Sequence, residues 1–166
     1  MLRIDVRSSR ELQALLLSVR RANRETQAEI RKHTKAMLAP AWQKALAEES
    51  MTKVENIVLV NTARVTVSNQ NVTLKAGGLA KKLSGGARAF EISKQVEFGA
   101  PLKTIKYTGR RGSKTFPVSR TSGRQFRHEN KKGWVVYPAA AQIIPRLAAL
   151  WVQTAVRTFA DALDKK

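Results

Sequence analysis

The sequence predicts an α+β fold: a small, mainly antiparallel sheet of about four strands, packed by a long N-terminal helix and a C-terminal helix, with a long basic loop or β-arm. Three observations predict it. Apolar residues recur with a helical period near both ends, and they alternate with period two in the middle. One stretch, 101–133, is rich in Lys and Arg and holds a single acid, Glu129. The 166 residues suit one domain. It divides into a helical region 8–49, strands within 55–100, the basic arm 101–133, and a strand plus helix over 134–164.

Ser8 and Glu11 have the spacing of a capping box, in which each side chain satisfies the other's backbone amide. Leu12, Leu15, Leu16, Val19, Thr26, Ile30, Met37, Leu38, Ala41, Trp42, Ala45 and Leu46 then follow helical spacing. The stripe thins between Arg20 and Lys35. Pro40 removes one backbone donor, which predicts a kink or break near Ala39. The expectation is a helix over about 8–38 and a shorter one to about 49. So polar a middle predicts a contact outside the home core. Arg21, Arg24, Glu25, Glu29 and Lys32 form charge pairs there and are candidate subunit-interface residues.

After Ser50 the period changes. Ala63, Val65 and Val67 alternate with polar residues, as do Val72, Leu74 and Ala76. Asn69-Gln70-Asn71 between them has hairpin turn chemistry. Ile57–Val60 is a strand start or a buried connector. Phe90, Ile92, Val96 and Phe98 read as a third strand ended by Gly99. Trp134–Tyr137 read as a fourth, closed by Pro138. The last helix runs to about Leu163 on Ile144, Leu147, Ala148, Trp151, Ala155, Phe159, Ala162 and Leu163, with Pro145 in its first turn. Trp151 and Phe159 are expected against Val65, Val67, Ile92 and Phe98.

Within the arm, Gly109-Arg110-Arg111-Gly112 turns a hairpin in which Ile105–Tyr107 pairs with Thr115–Val118. Lys103, Lys106, Arg110, Arg111, Lys114, Arg120, Arg124 and Arg127 are the candidate contacts to a partner or to DNA. The arm has too few apolar side chains to offset the entropy of ordering it, so a partner is expected to hold it.

The whole chain carries 31 Lys and Arg against 12 Asp and Glu, a formal charge of +19. Such a charge opposes compaction and self-association until an anion neutralises it. With no cysteine there is no disulfide or thiolate metal site. The first ten residues lack the apolar core of a signal peptide, and no apolar run is long enough to span a membrane.

Catalytic chemistry finds little purchase. His33 and His128 have no local acid or hydroxyl arranged as a triad or metal site. Glu25 and Glu29 sit four apart, but their neighbours Arg21, Arg24 and Lys32 make solvent-face ion pairs the simpler reading. The glycine pairs lack the strand–glycine–helix setting of a phosphate cradle. No enzyme activity and no cofactor are expected. Tyr107 and Phe116 interleaved with cations suit phosphate contact and base stacking, yet no sequence-reading motif accompanies them. Basic arms also bind acidic protein surfaces, and both readings stay open. Trp42, Trp134 and Trp151 fall at periodic positions and read as core.

The order of these parts carries a resemblance. A long charged N-terminal helix and short strands precede V-E-F-G-A (Val96–Ala100). A basic stretch then leads to V-V-Y-P-A-A-A-Q-I-I-P-R-L-A-A-L-W-V-Q-T-A-V-R-T-F (Val135–Phe159). This resembles the tail-completion, or neck, proteins of long-tailed bacteriophages, especially those infecting actinobacteria. It covers about the last 75 residues well. The T-G-x-L segment frequent in that family has only a partial counterpart in Gly77-Gly78-Leu79. The resemblance implies a virion structural protein of the neck or tail, made in the host cytoplasm. It implies a ring, commonly a hexamer, at the head–tail junction, with other connector and tail-tube proteins as partners and genomic DNA in its channel. It implies no cofactor, catalysis or membrane contact. A non-sequence-specific nucleic-acid-binding protein is the alternative.

Overall fold

The computed structural model describes residues 1–5, 24–68, 71–80, 82–84 and 86–164; within the last helix and β1 some of these are described by backbone alone. The fold is α+β. In chain order the elements are β1 (Leu2–Asp5), α1 (Arg24–Glu49), α2 (Lys53–Glu55), β2 (Arg64–Val67), β3 (Val72–Ala76), α3 (Ala89–Phe98), β4 (Lys103–Arg111), β5 (Lys114–Ser122) and α4 (Val136–Asp164). A π-helical turn, Asn56–Val60, continues α2. The Ser8–Glu11 capping box, Arg21 and the first part of the expected helix lie outside the described residues.

One sheet has the order β1-β3-β2, antiparallel throughout, with Leu2 opposite Ala76 and Val67 opposite Val72. The β2–β3 hairpin follows the alternation in the sequence, and Ser68 N–H donates to Asn71 O at 2.8 Å to close it. β1 was not among the expected strands. The second sheet is the β4–β5 hairpin alone. The expected four-stranded sheet is therefore three strands plus a separate two-stranded arm.

Two expected strands are helices. Ala89–Phe98 forms α3, burying Ala89, Ser93, Val96 and Glu97. Two of those four buried residues are polar, so the apolar residues alone mimic a period of two. Trp134–Tyr137 is no strand either: α4 begins at Val136, and Pro138 occupies its first turn, where a missing N–H costs nothing. Pro145, expected in the first turn, lies inside the helix.

α1 runs through Pro40 without ending. Pro40 and Ala36 are both exposed, so water can satisfy the carbonyl that proline leaves free. On the opposite side Leu38, Trp42 and Leu46 are sealed in the core with Leu59, Leu74 and Val135. Trp42 Nε1 donates to Lys75 O at 3.2 Å. The polar middle also packs at home. Thr26, Ile30 and Thr34 continue the buried stripe one turn apart, and α1 lies along α4. The expectation that this segment lacks a home contact is corrected on its buried face. The side chains of Trp151 and Phe159 lie outside those described.

Candidate interaction site: the basic hairpin and its anchor

The arm is a hairpin of two nine-residue strands in unbroken register, from Lys103 opposite Ser122 to Arg111 opposite Lys114. Gly112 and Ser113 form its loop. Gly112 has φ +61° and Ser113 is not left-handed, the pattern of a type II′ turn whose twist matches paired strands. The turn lies two residues later than the sequence reading placed it. Ile105–Tyr107 accordingly pairs with Val118–Arg120 rather than Thr115–Val118.

Register sorts the side chains into two faces, because directly opposed residues share a face. One face carries the pairs Ile105/Arg120, Tyr107/Val118, Gly109/Phe116 and Arg111/Lys114, with Lys103/Ser122 at the base. The other carries Thr104/Thr121, Lys106/Ser119, Thr108/Pro117 and Arg110/Thr115. The hairpin packs on no other element to any comparable extent, and its strands are exposed almost throughout. Lys103, Lys106, Arg110, Arg111, Lys114 and Arg120 all reach solvent from it, and Arg124 is exposed just beyond its base.

Arg127 is different, because it pairs within the body. Its Nε lies 2.7 Å from Glu55 Oε1 and one terminal nitrogen donates to Glu55 Oε2 at 3.1 Å. The pair is bidentate, and both side chains are largely buried. The guanidinium also lies 5.0 Å from the centre of the Trp134 ring. Trp134 Nε1 donates to His128 O at 3.0 Å, and the His128 ring meets the indole edge-on. Glu55 additionally accepts the N–H groups of Met51 and Thr52 at 2.8 and 2.9 Å, capping α2. One carboxylate thus starts a helix and ties down the segment returning from the hairpin.

Glu97 repeats the device. It is fully buried at the end of α3, and it accepts the N–H groups of Val135, Val136 and Tyr137 at 3.2, 2.8 and 3.1 Å. Pro138 has no N–H, and Ala139 N–H makes the first helical bond, to Val135 O. Every orphan donor at the start of α4 is accounted for. Burial pushes the Glu97 carboxyl above its ordinary value, opposed by those three N–H groups and assisted by the nearby charge of Glu55. Phe98 packs on Tyr137 with ring centres 5.6 Å apart. V-E-F-G-A and V-V-Y-P, the two segments that carry the resemblance, therefore meet in space as one joint. Gly133 has φ +78°, and a Cβ there would collide with Glu97 Oε1, so the approach to the joint requires glycine. Sequence reasoning missed the joint because its partners are a buried acid and backbone amides, which periodicity does not register.

Arg24, Glu25, Glu29 and Lys32 are all exposed on α1. Glu29 and His33 line a groove with Arg157 and Asp161 of α4. Among the described residues no group of three or more potential ligands could hold a metal. A second hollow between α1 and α4, of about 150 Å³, is lined by Ala41, Ala45, Ile143 and Leu150 with Lys44, Glu48, Gln142 and Arg146, and holds no nucleophile–base pair. No described helix is long and apolar enough to cross a membrane. No protein-family model, no curated protein and no solved structure matches this chain.

Proposed function

We propose that this chain is a structural subunit of a long-tailed phage neck, completing or terminating the tail and joining it to the head as a member of a ring. The observation that carries the reading is the division of the chain into an anchored body and a basic hairpin that stands off it. A monomer gains nothing from an arm that buries almost none of its own surface, whereas an assembly gains a contact. The resemblance of Val96–Ala100 and Val135–Phe159 to neck proteins supports the same reading, and the ring is proposed as a hexamer in the virion. Its partners are the adjoining connector and tail-tube proteins, and DNA passes through the lumen. The protein acts by fit and charge, without catalysis or cofactor. Copies carrying +19 each repel one another, so ring closure requires acidic neighbours, DNA or both.

A second reading, a binder of nucleic acid without sequence preference, is favoured by one feature: six cations and no acid between residues 101 and 122. Electron microscopy of particles assembled without the protein separates the two. The neck reading predicts filled heads and tails that stay apart. Normal joined particles would overturn it.

A further inference from the structure

The two faces of the hairpin are chemically unlike. On one face Ile105, Tyr107, Val118 and Phe116 adjoin, and the first, second and fourth remain 53, 46 and 45% exposed. Phe116 lies across Gly109: a Cβ there would sit 2.9 Å from the ring and 2.8 Å from Val118 Cγ2. The glycine lets the ring lie on the sheet and turn its outer side to solvent. Cations close both ends of this apolar stripe, Lys103 and Arg120 toward the base, Arg111 and Lys114 at the tip. The opposite face has hydroxyls at Thr104, Thr108, Thr115, Ser119 and Thr121, with Lys106 and Arg110 among them.

We propose that the Ile105–Tyr107–Val118–Phe116 face docks onto an acidic protein surface, with an apolar patch on the partner meeting the stripe and carboxylates meeting the cations at its two ends. An apolar, aromatic centre inside a charged rim is the anatomy of protein interfaces. Nucleic acid fits less well, because a phosphate chain asks for cations in a continuous track. Here the two cationic ends are separated by about 20 Å along the strand, the six residue steps from Arg120 to Lys114, with Val118 and Phe116 between them on that face. A second copy is opposed by the like charge of both hairpins. Addition of a partner strand along β5 is opposed by Pro117, whose pair position leaves its missing N–H on the open edge. An isolated two-stranded hairpin is also marginal in water. A partner on this face would supply the packing layer the hairpin lacks.

The inference rests on the proposed reading of the hairpin as an assembly contact, and one binding experiment distinguishes the two failures. The full-length protein is titrated with three probes: a peptide alternating Glu with Leu, the same peptide with Ser for Leu, and an oligothymidylate. The Glu–Leu peptide is expected to bind at least about tenfold more tightly than the Glu–Ser peptide. Tyr107→Ser with Phe116→Ser should abolish that preference, while Lys106→Gln with Arg110→Gln on the other face should leave it intact. Circular dichroism of each double variant checks that the body stays folded. Equal affinity for the two peptides, or no measurable binding of either, overturns the docking face. Tighter binding of oligothymidylate, weakened equally by removing cations from either face, overturns the protein partner as well.

Discussion

At Glu97 the burial of a carboxylate and the start of a helix are one problem with one solution. The side chain serves three backbone donors that have no other acceptor. Glu97→Ala should therefore destabilise the fold by about 2–3 kcal/mol, read as a shift in the urea midpoint. The acid also carries a pH signature. Its folded pKa lies above the unfolded one, so between the two values the native state holds more protons. Stability then falls as pH rises through that window and is recovered as pH falls back through it. Relative to Glu97→Gln, which does not titrate, the wild type should gain stability on acidification across the window; parallel pH profiles for the two would contradict this. Arg127→Ala leaves Glu55 buried without its cation and should cost about 3–5 kcal/mol in the same assay. Neither joint was legible in the sequence. Glu55 and Arg127 are 72 residues apart, and charge patterning relates only neighbours along a helix face.

Among the elements, legibility followed the chemistry of the buried face. β2 and β3 bury Val65, Val72, Leu74 and Ala76, so their alternation showed in the sequence. α3 buries Ser93 and Glu97 beside Ala89 and Val96, and its period was hidden. Glu91 was an available signal, since its carboxylate accepts Arg88 N–H at 2.9 Å and opens the helix. α1 shows the same effect more mildly, because Thr26 and Thr34 stand in its buried stripe. Thr34 Oγ1 is buried with no hydrogen-bond partner in the structure. Thr34→Val keeps the shape and removes the desolvated hydroxyl, so it should raise stability by about 1 kcal/mol in thermal unfolding. The exposed side of α1 carries Glu25 and Glu29, which the ring reading assigns to a neighbour. Reversing both to Lys should weaken the oligomer and leave the monomer folded; an unchanged elution volume on sizing chromatography would argue against that interface.

For the whole molecule, the separation of body and arm matters more than any one contact. The sequence located the arm by composition, since cations without acids over so long a stretch have no home core to enter. It misplaced the turn and did not register the latch of Arg127 to Glu55, which exists only in three dimensions. Lys103 and Ser122 are paired at the base, so the chain enters and leaves the hairpin side by side. Residues 103–122 can then be removed and Leu102 joined to Gly123 without opening the body. The anchor beyond, Arg127 with Glu55 and Glu97 with the start of α4, stays complete in that deletion. Under the proposed neck role, the measurement that tests the account most directly is electron microscopy of phage particles assembled with this hairpin-deleted protein, after its melting temperature has been shown to match the full chain. Filled heads and completed tails that fail to join are the predicted result. Normally joined, infectious particles would contradict the account.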